Sequence, residues 1–243
     1  LPCRGRHDRS AWPFEKGTLL KVVSYNLRKH AAVGELTDLV ETHGIDVLCL
    51  QEGDTAALAP TVGGLRLIGA TENNRLGLAM YASDERFDIL DTRVFAVRKS
   101  LHDRVLRPAH ERLLAARLFD KVRDREVLVG DFHAAPLTAS NALRRKQIAG
   151  AHAGMRALAP GAPALMVGDF NYPWFVNKLE RHLTDAGFQL TRSTEPTYVR
   201  YKYFSGYFDF VTSNGYLIER VDVLPFGASD HRPISLTAHL ADD

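Results

Sequence analysis

The chain has 243 residues, 45% apolar and 25% charged, with a formal net charge of +2. That length can bury a substantial core, and the ordinary charge content excludes global disorder. Two cysteines, Cys3 and Cys49, exclude a disulfide-stapled scaffold and a cysteine-rich zinc module, and no apolar run reaches the roughly 18 to 20 residues of a membrane-spanning helix.

Residues 1–17 are polar, basic and aperiodic, and are expected to form a poorly ordered lead-in. The chain opens on Leu1 rather than methionine, so an upstream signal or anchor stays open. Leu19 to Tyr25 is rich in β-branched and apolar residues and predicts a strand. Residues 34–43 predict a helix, with Leu36, Leu39 and Val40 at helical spacing and Gly44 as its stop. Ile45 to Leu50 is nearly all apolar and predicts a strand buried on both faces. Cys49 lies within it and is expected to be a buried free thiol, which fits a reducing, cytoplasmic address.

Further strands are predicted over 65–70, 76–82, 87–96, 113–119, 125–130, 163–168, 207–213, 216–224 and 233–239. Helices are predicted over 138–157 and 174–186. Many strands with few helices predict an α/β fold of two packed mixed sheets with helices outside. No Ser/Gly linker or low-complexity tract interrupts residues 18–243, which read as one domain. One internal echo stands out: LVGDFHAAP at 128–136 resembles MVGDFNYP at 166–173, so two strand ends either meet at one rim or match by chance.

The informative pattern is a hydrophobic strand running into a polar or acidic group. VVSY ends in Asn26, VLCL in Gln51-Glu52, LVG in Asp131-Phe132-His133, and LMVG in Asp169-Phe170-Asn171. Asp209 is embedded in FDFV, and Ser229-Asp230-His231-Arg232-Pro233 precedes the last strand. Any one of these reads as a strand cap or turn. Together they read as a site built on rigid strand ends. The groups are carboxylates (Glu52, Asp169, Asp209, Asp230), amides (Asn26, Asn171) and imidazoles (His133, His231), with no serine or cysteine in a hydrolase elbow. Hard oxygen ligands favour Mg²⁺, with Mn²⁺ or Ca²⁺ as alternatives, over zinc. Such a metal–carboxylate–imidazole set suits hydrolysis of a phosphate ester.

SYN at 24–26, LQE at 50–52, GDFN at 168–171, FDFV at 208–211 and SDHRP at 229–233 occur in this order. They resemble the signature of the endonuclease/exonuclease/phosphatase superfamily, the DNase I-like fold, over about residues 19–240. The resemblance implies a four-layer α/β sandwich of two packed mixed β-sheets flanked by helices, and divalent-metal-dependent phosphoesterase activity. It implies Glu52 as main metal ligand with Asn26 beside it and Asp230 in support. Asp169 and Asn171 would position the attacking water and the phosphate. His231 would pair with the phosphate or the water, with Asp209 orienting its ring. Whether His231 or Asp169 is the formal base is left open. FHAAP at 132–136 resembles the segment that carries a second histidine in the DNase I and toxin nuclease branch and also in sphingomyelinase and inositol phosphatase branches, which implies His133 near the leaving oxygen. Asp131, just before it, departs from that pattern and is expected to cap a turn. Leu27-Arg28-Lys29 departs from the exonuclease III branch and disfavours abasic-site repair.

Substrate signals are weaker. Residues 93–125 carry eight arginines and two lysines against four acidic residues, a surplus that fits either phosphate contacts or a solvated face. Arg112 is the candidate within it for pointing towards the site. Tyr198 to Phe208 interleaves aromatics with Arg200 and Lys202, where bases could stack or a membrane could be touched. Trp174 follows GDFNYP and is a candidate for the same rim. The expected function is phosphodiester hydrolysis, favouring nucleic acid. The alternative is a phosphatase or phospholipase acting on inositol phosphates or sphingomyelin, with a lipid headgroup as partner; no feature points to a protein partner.

Overall fold

The computed structural model describes residues 19–72, 76–99, 111–200, 204–225 and 227–241, so the expected lead-in lies outside the described residues. One sheet has seven strands: β1 (Leu20–Asn26), β2 (Val47–Gly53), β3 (Thr61–Val62), β4 (Leu65–Ala70), β5 (Gly77–Ala82), β14 (Tyr216–Val223) and β15 (Ile234–Leu240). The other has six: β6 (Phe87–Ala96), β7 (Glu111–Asp120), β8 (Arg125–His133), β9 (Ala164–Asp169), β10 (Gln189–Arg192) and β13 (Asp209–Asn214). In space the first runs β14-β15-β1-β2-β5-β4-β3 and the second β10-β13-β9-β8-β7-β6. Two further strands, β11 (Tyr198–Arg200) and β12 (Phe204–Gly206), pair as a small hairpin. The main helices are α1 (Leu36–His43), α2 (Asn141–Leu158) and α3 (Val176–Asp185).

Strand periodicity explains the layering. Val22, Cys49, Val129, Val167, Val211 and Leu236 point between the sheets and form the central core. Their neighbours on the opposite faces pack against helices. Val23, Tyr25, Leu48 and Leu50 meet Leu36 and Val40 of α1. Leu128, Phe132, Met166 and Phe210 meet Ile148 and Met155 of α2 and Leu179 of α3. Three apolar interfaces therefore separate four layers, as the DNase I-like resemblance implies.

Local chemistry sets several boundaries. Gly44 ends α1 at φ 58°, donating its N–H to Val40 at 3.0 Å. The helix predicted from 138 starts at Asn141, because the Ser140 side chain caps it by accepting from the Leu143 amide. β2 and β8 run beyond their predicted ends, through Gly53 and His133. The short strands β3, β10, β11 and β12 carry too few residues for their alternation to be read from sequence.

The echoed segments do meet. β8 and β9 are adjacent and parallel, but shifted by two residues, so that His133 pairs with Asp169 and Asp131 with Val167. Asp131 caps no turn. It shares the inward face of Val127 and Val129, is fully buried, and accepts a hydrogen bond from Gln51 Nε2 at 2.6 Å.

Candidate active site

The inward face of each central strand continues into a polar residue at the same end of the sandwich. Asn26 follows Val22 and Ser24, Asp169 follows Leu165 and Val167, Asp209 precedes Val211, and His133 follows Val129 and Asp131. The site is thus the open end of the central core, where side chains that would point inward find a pocket instead. Asp209 and Asp169 are direct cross-strand partners in β13 and β9. The pocket holds about 550 Å³; Glu52, His133, Asp169, Asn171, Asp230 and His231 are among the residues lining it.

Asp169 is the hub. Its Oδ1 accepts the Asn171 amide at 2.9 Å, and its Oδ2 accepts from Asn26 Nδ2 at 3.2 Å and Asn171 Nδ2 at 3.1 Å. The same Oδ2 stands 3.6 Å from His133 Nε2 and 3.7 Å from His231 Nε2. Burial pushes the Asp169 carboxyl up from its ordinary range; the nearby His231 opposes that shift. His231 Nδ1 lies 2.9 Å from Asp209 Oδ2, which fixes the ring and directs Nε2 into the pocket. Burial would lower the His231 pKa, but the carboxylates of Asp209 and Asp169 outweigh it and raise the imidazole above its ordinary value.

The loop carrying His231 is tied to β1. Ser229 Oγ donates to the Asn26 carbonyl at 2.6 Å and accepts the His231 amide at 3.0 Å. Tyr198 and Phe208 stack edgewise on His231, with centroids 4.8 Å and 6.1 Å away. They form an aromatic wall of the pocket.

Glu52 sits on a bulge where β2 loses register with β5, and its own φ is 56°. This turn sends Gln51 into the sheet interface and Glu52 into the pocket. Glu52 Oε2 accepts the Lys29 amide at 3.0 Å; among the described residues nothing hydrogen-bonds its Oε1. Arg28, Lys29 and His30 follow one another at φ 47°, 55° and 70°. Non-glycine residues in this conformation cost about 1–2 kcal/mol each. Three contacts hold the turn: Asn26 Oδ1 accepts the Arg28 amide, Glu52 Oε2 the Lys29 amide, and the Glu52 carbonyl the His30 amide.

A cation needs oxygen donors not already committed. Asp169, Asp209 and His231 lie close enough to share one ion, but Asp209 is hydrogen-bonded to His231, and Asp169 accepts from Asn26 and Asn171. Glu52 Oε1 is uncommitted and shares its pocket with Asp230, so this side fits a hard divalent cation. Asn26 keeps a second lone pair on its amide oxygen beyond the one taken by Arg28.

Three substrate expectations fare differently. Arg112 does not face the pocket: it is 6% exposed, and its Nη1 donates to the His133 and Ala134 carbonyls at 3.1 and 3.0 Å. Two carbonyls at the end of a buried strand need donors, and Arg112 supplies them. Trp174 is 51% exposed and is not among the lining residues. The Arg200 side chain lies outside the described residues, as does the stretch 100–110 of the basic segment. Sequence reasoning treated Arg28 and Lys29 only as a departure and passed over Leu137, yet all three line the pocket. A basic pair two residues past the Asn26 strand end was the available signal.

Residues 23–231 match the model of the Endonuclease/Exonuclease/phosphatase family. No curated protein matches the chain in sequence. Among solved structures, an endonuclease/exonuclease/phosphatase from Bacteroides vulgatus is similar with a TM-score of 0.76 at 15% identity, over 92% of this chain and 99% of that one. A mannosyl-6-phosphatase from Bacteroides thetaiotaomicron VPI-5482 gives 0.73 at 17% identity, over 90% and 99%. The D. rerio TDP2 complexed with a single-strand DNA product gives 0.73 at 13% identity, over 91% and 99%. At such identities the likeness carries the fold.

Proposed function

The chain belongs to the endonuclease/exonuclease/phosphatase family of phosphoester hydrolases, and from that premise we propose that it is a divalent-cation-dependent phosphodiesterase acting on nucleic acid. The observation that carries this reading is the position of Asp169 Oδ2 between the Nε2 atoms of His133 and His231, at 3.6 and 3.7 Å. Hydrolysis of a diester needs a proton removed from water and a proton given to the leaving oxygen. Two imidazoles flanking one carboxylate supply both ends of that transfer.

In this reading Asp169 orients the attacking water and takes its proton, and His231 hydrogen-bonds the phosphate or the water. Asp209 holds the His231 ring and steadies its charge. His133 gives a proton to the departing oxygen, and Asn171 hydrogen-bonds the phosphate. Glu52, with Asn26 and Asp230 beside it, would hold Mg²⁺ or Mn²⁺. Such an ion, when bound, supplies Lewis-acid polarisation of the phosphoryl oxygen. Tyr198, half-buried at the pocket wall, offers a ring to a base. Trp174 and Arg200 remain candidate contacts for a longer strand.

The test is incubation with plasmid DNA, single-stranded oligonucleotide, inositol polyphosphate and sphingomyelin, each with Mg²⁺ or EDTA. Cleavage of DNA in Mg²⁺ and its loss in EDTA support the reading. Release of phosphate or headgroup without DNA cleavage would replace it with a phosphatase or phospholipase.

A further inference from the structure

The left-handed turn at Arg28-Lys29-His30 has no counterpart elsewhere among the described residues, where non-glycine residues of positive φ occur singly. Its three backbone amides are all spent on Asn26 and Glu52, residues of the site itself. His30 is further fixed by Nδ1, which accepts the Asp54 amide at 3.1 Å. Strain of this kind persists only where surroundings over-determine it, and it clusters at ligand clamps. Its effect here is to stand two cationic side chains on the lip of the pocket, beside Glu52 and Asp230.

Internal pairing does not account for those cations. Arg28 Nε is 3.9 Å from Asp230 Oδ1, with the arginine 57% exposed, a loose and solvent-screened pair. Among the described residues Lys29 makes no ion pair. The pocket floor, where Asp169 lies between two imidazoles, is the place for the scissile phosphate. The walls of Leu137 and of Tyr198 and Phe208 are apolar and aromatic. The lip at Arg28 and Lys29 is where anionic charge beyond the scissile group would be met.

We propose that Arg28 and Lys29 form a clamp for a second, non-scissile phosphate of the substrate, the one flanking the cleaved bond in a nucleic-acid strand. This rests on the phosphodiesterase reading and refines it: the preferred substrate carries a phosphate next to the one attacked. Arginine offers a fork of donors to such a group and lysine a point charge.

The experiment compares kcat/KM for thymidylyl-(3′→5′)-thymidine and for its 5′-phosphorylated and 3′-phosphorylated forms, in Mg²⁺. One phosphorylated form should exceed the plain dinucleotide by roughly 10- to 100-fold, mainly through KM, the size expected for charge-assisted contacts to one phosphate. In Arg28→Gln and Lys29→Gln that preference should fall several-fold towards unity. Lys29→Gly relieves the strained φ while removing the charge, so it should lose the preference as Lys29→Gln does. Arg28→Lys should retain part of it. Equal kcat/KM for all three dinucleotides, or an undiminished preference in both Gln variants, would overturn the clamp while leaving the phosphodiesterase reading intact. No turnover of the dinucleotides or of bis(4-nitrophenyl) phosphate would overturn both.

Discussion

Gln51 and Asp131 join the two sheets beneath the candidate site, amide nitrogen to carboxylate oxygen, at 2.6 Å. Gln51 Nε2 also reaches Ser24 Oγ at 3.0 Å, so one buried contact links β1, β2 and β8 just below Asn26, Glu52 and His133. Among the described residues Gln51 Oε1 has no hydrogen-bond partner. Burial pushes the Asp131 carboxyl well above its ordinary range; the hydrogen bond from Gln51 opposes this only in part.

The sign of the resulting pH dependence follows. The folded protein holds a proton on Asp131 at pH values where the unfolded chain has released it. The stability this group contributes is full below the unfolded pKa, about 4, and is lost as pH rises towards the raised folded value. Asp131→Asn keeps shape and polarity but cannot ionise. Urea unfolding should find the variant at least as stable as the parent at pH 8, by up to about 1–3 kcal/mol, the scale of a buried unsatisfied polar group. The gap should close towards pH 4. A variant with the parent's pH slope would show that Asp131 does not titrate on unfolding.

The acid–base assignment predicts an unequal response in the buried pair Asp209–His231. His231→Ala removes the group that faces the reacting atoms and should cut turnover of bis(4-nitrophenyl) phosphate by roughly 10²- to 10⁴-fold. Asp209→Asn leaves the ring and removes the anion that holds it at 2.9 Å, so its loss should be smaller. Initial rates at matched Mg²⁺ decide this. Parent-like turnover in His231→Ala would remove the imidazole from the chemistry.

Glu52 is expected to act through the cation rather than the proton. Its Oε1 accepts no hydrogen bond among the described residues, so on the proposed cation role Glu52→Gln should raise the Mg²⁺ needed for half-maximal rate before it lowers the rate at saturation. An unchanged Mg²⁺ titration would contradict that role, and isothermal titration with Mg²⁺ or Mn²⁺ alone reads it without substrate.

Much of this was legible because strand periodicity is simple. VVSYN, LMVGD and FDFV each fix which residue shares the inward face, so Asn26, Asp169 and Asp209 could be expected together from their strand ends. Register is not so local. The two-residue offset between β8 and β9, which brings His133 rather than Asp131 beside Asp169, depends on tertiary packing. The same holds for Arg112: its charge suggested a substrate, whereas its surroundings offer it two strand-end carbonyls. The left-handed turn at 28–30 could not be read either, since Arg, Lys and His give no sign of positive φ, and only the acceptors on Asn26 and Glu52 make it stable.

The two Val-Gly-Asp-Phe echoes offer a sharper contrast, because their glycines do different work. At Gly130 an added Cβ would meet Met155 Sδ at 2.8 Å and Leu113 Cδ1 at 3.1 Å, both ends of side chains that can turn aside. At Gly168 φ is 142°, and the same Cβ would sit 1.9 Å from the Phe132 carbonyl oxygen, which is backbone and cannot move without parting β8 from β9. Gly130→Ala should therefore cost about 1–3 kcal/mol of overpacking and leave an assembled site. Gly168→Ala forces a side chain into a glycine-only conformation and separates the strand carrying His133 from the one carrying Asp169. It should destabilise the fold by more than Gly130→Ala does. Under conditions where it remains folded, it should lower turnover by at least about 10²-fold, because misplacement of reacting groups by about 1 Å carries a penalty of that size. Thermal melts and bis(4-nitrophenyl) phosphate rates on the two variants side by side test this. Equal behaviour of the two would mean that the close approach of β9 to Phe132 does not hold the site together.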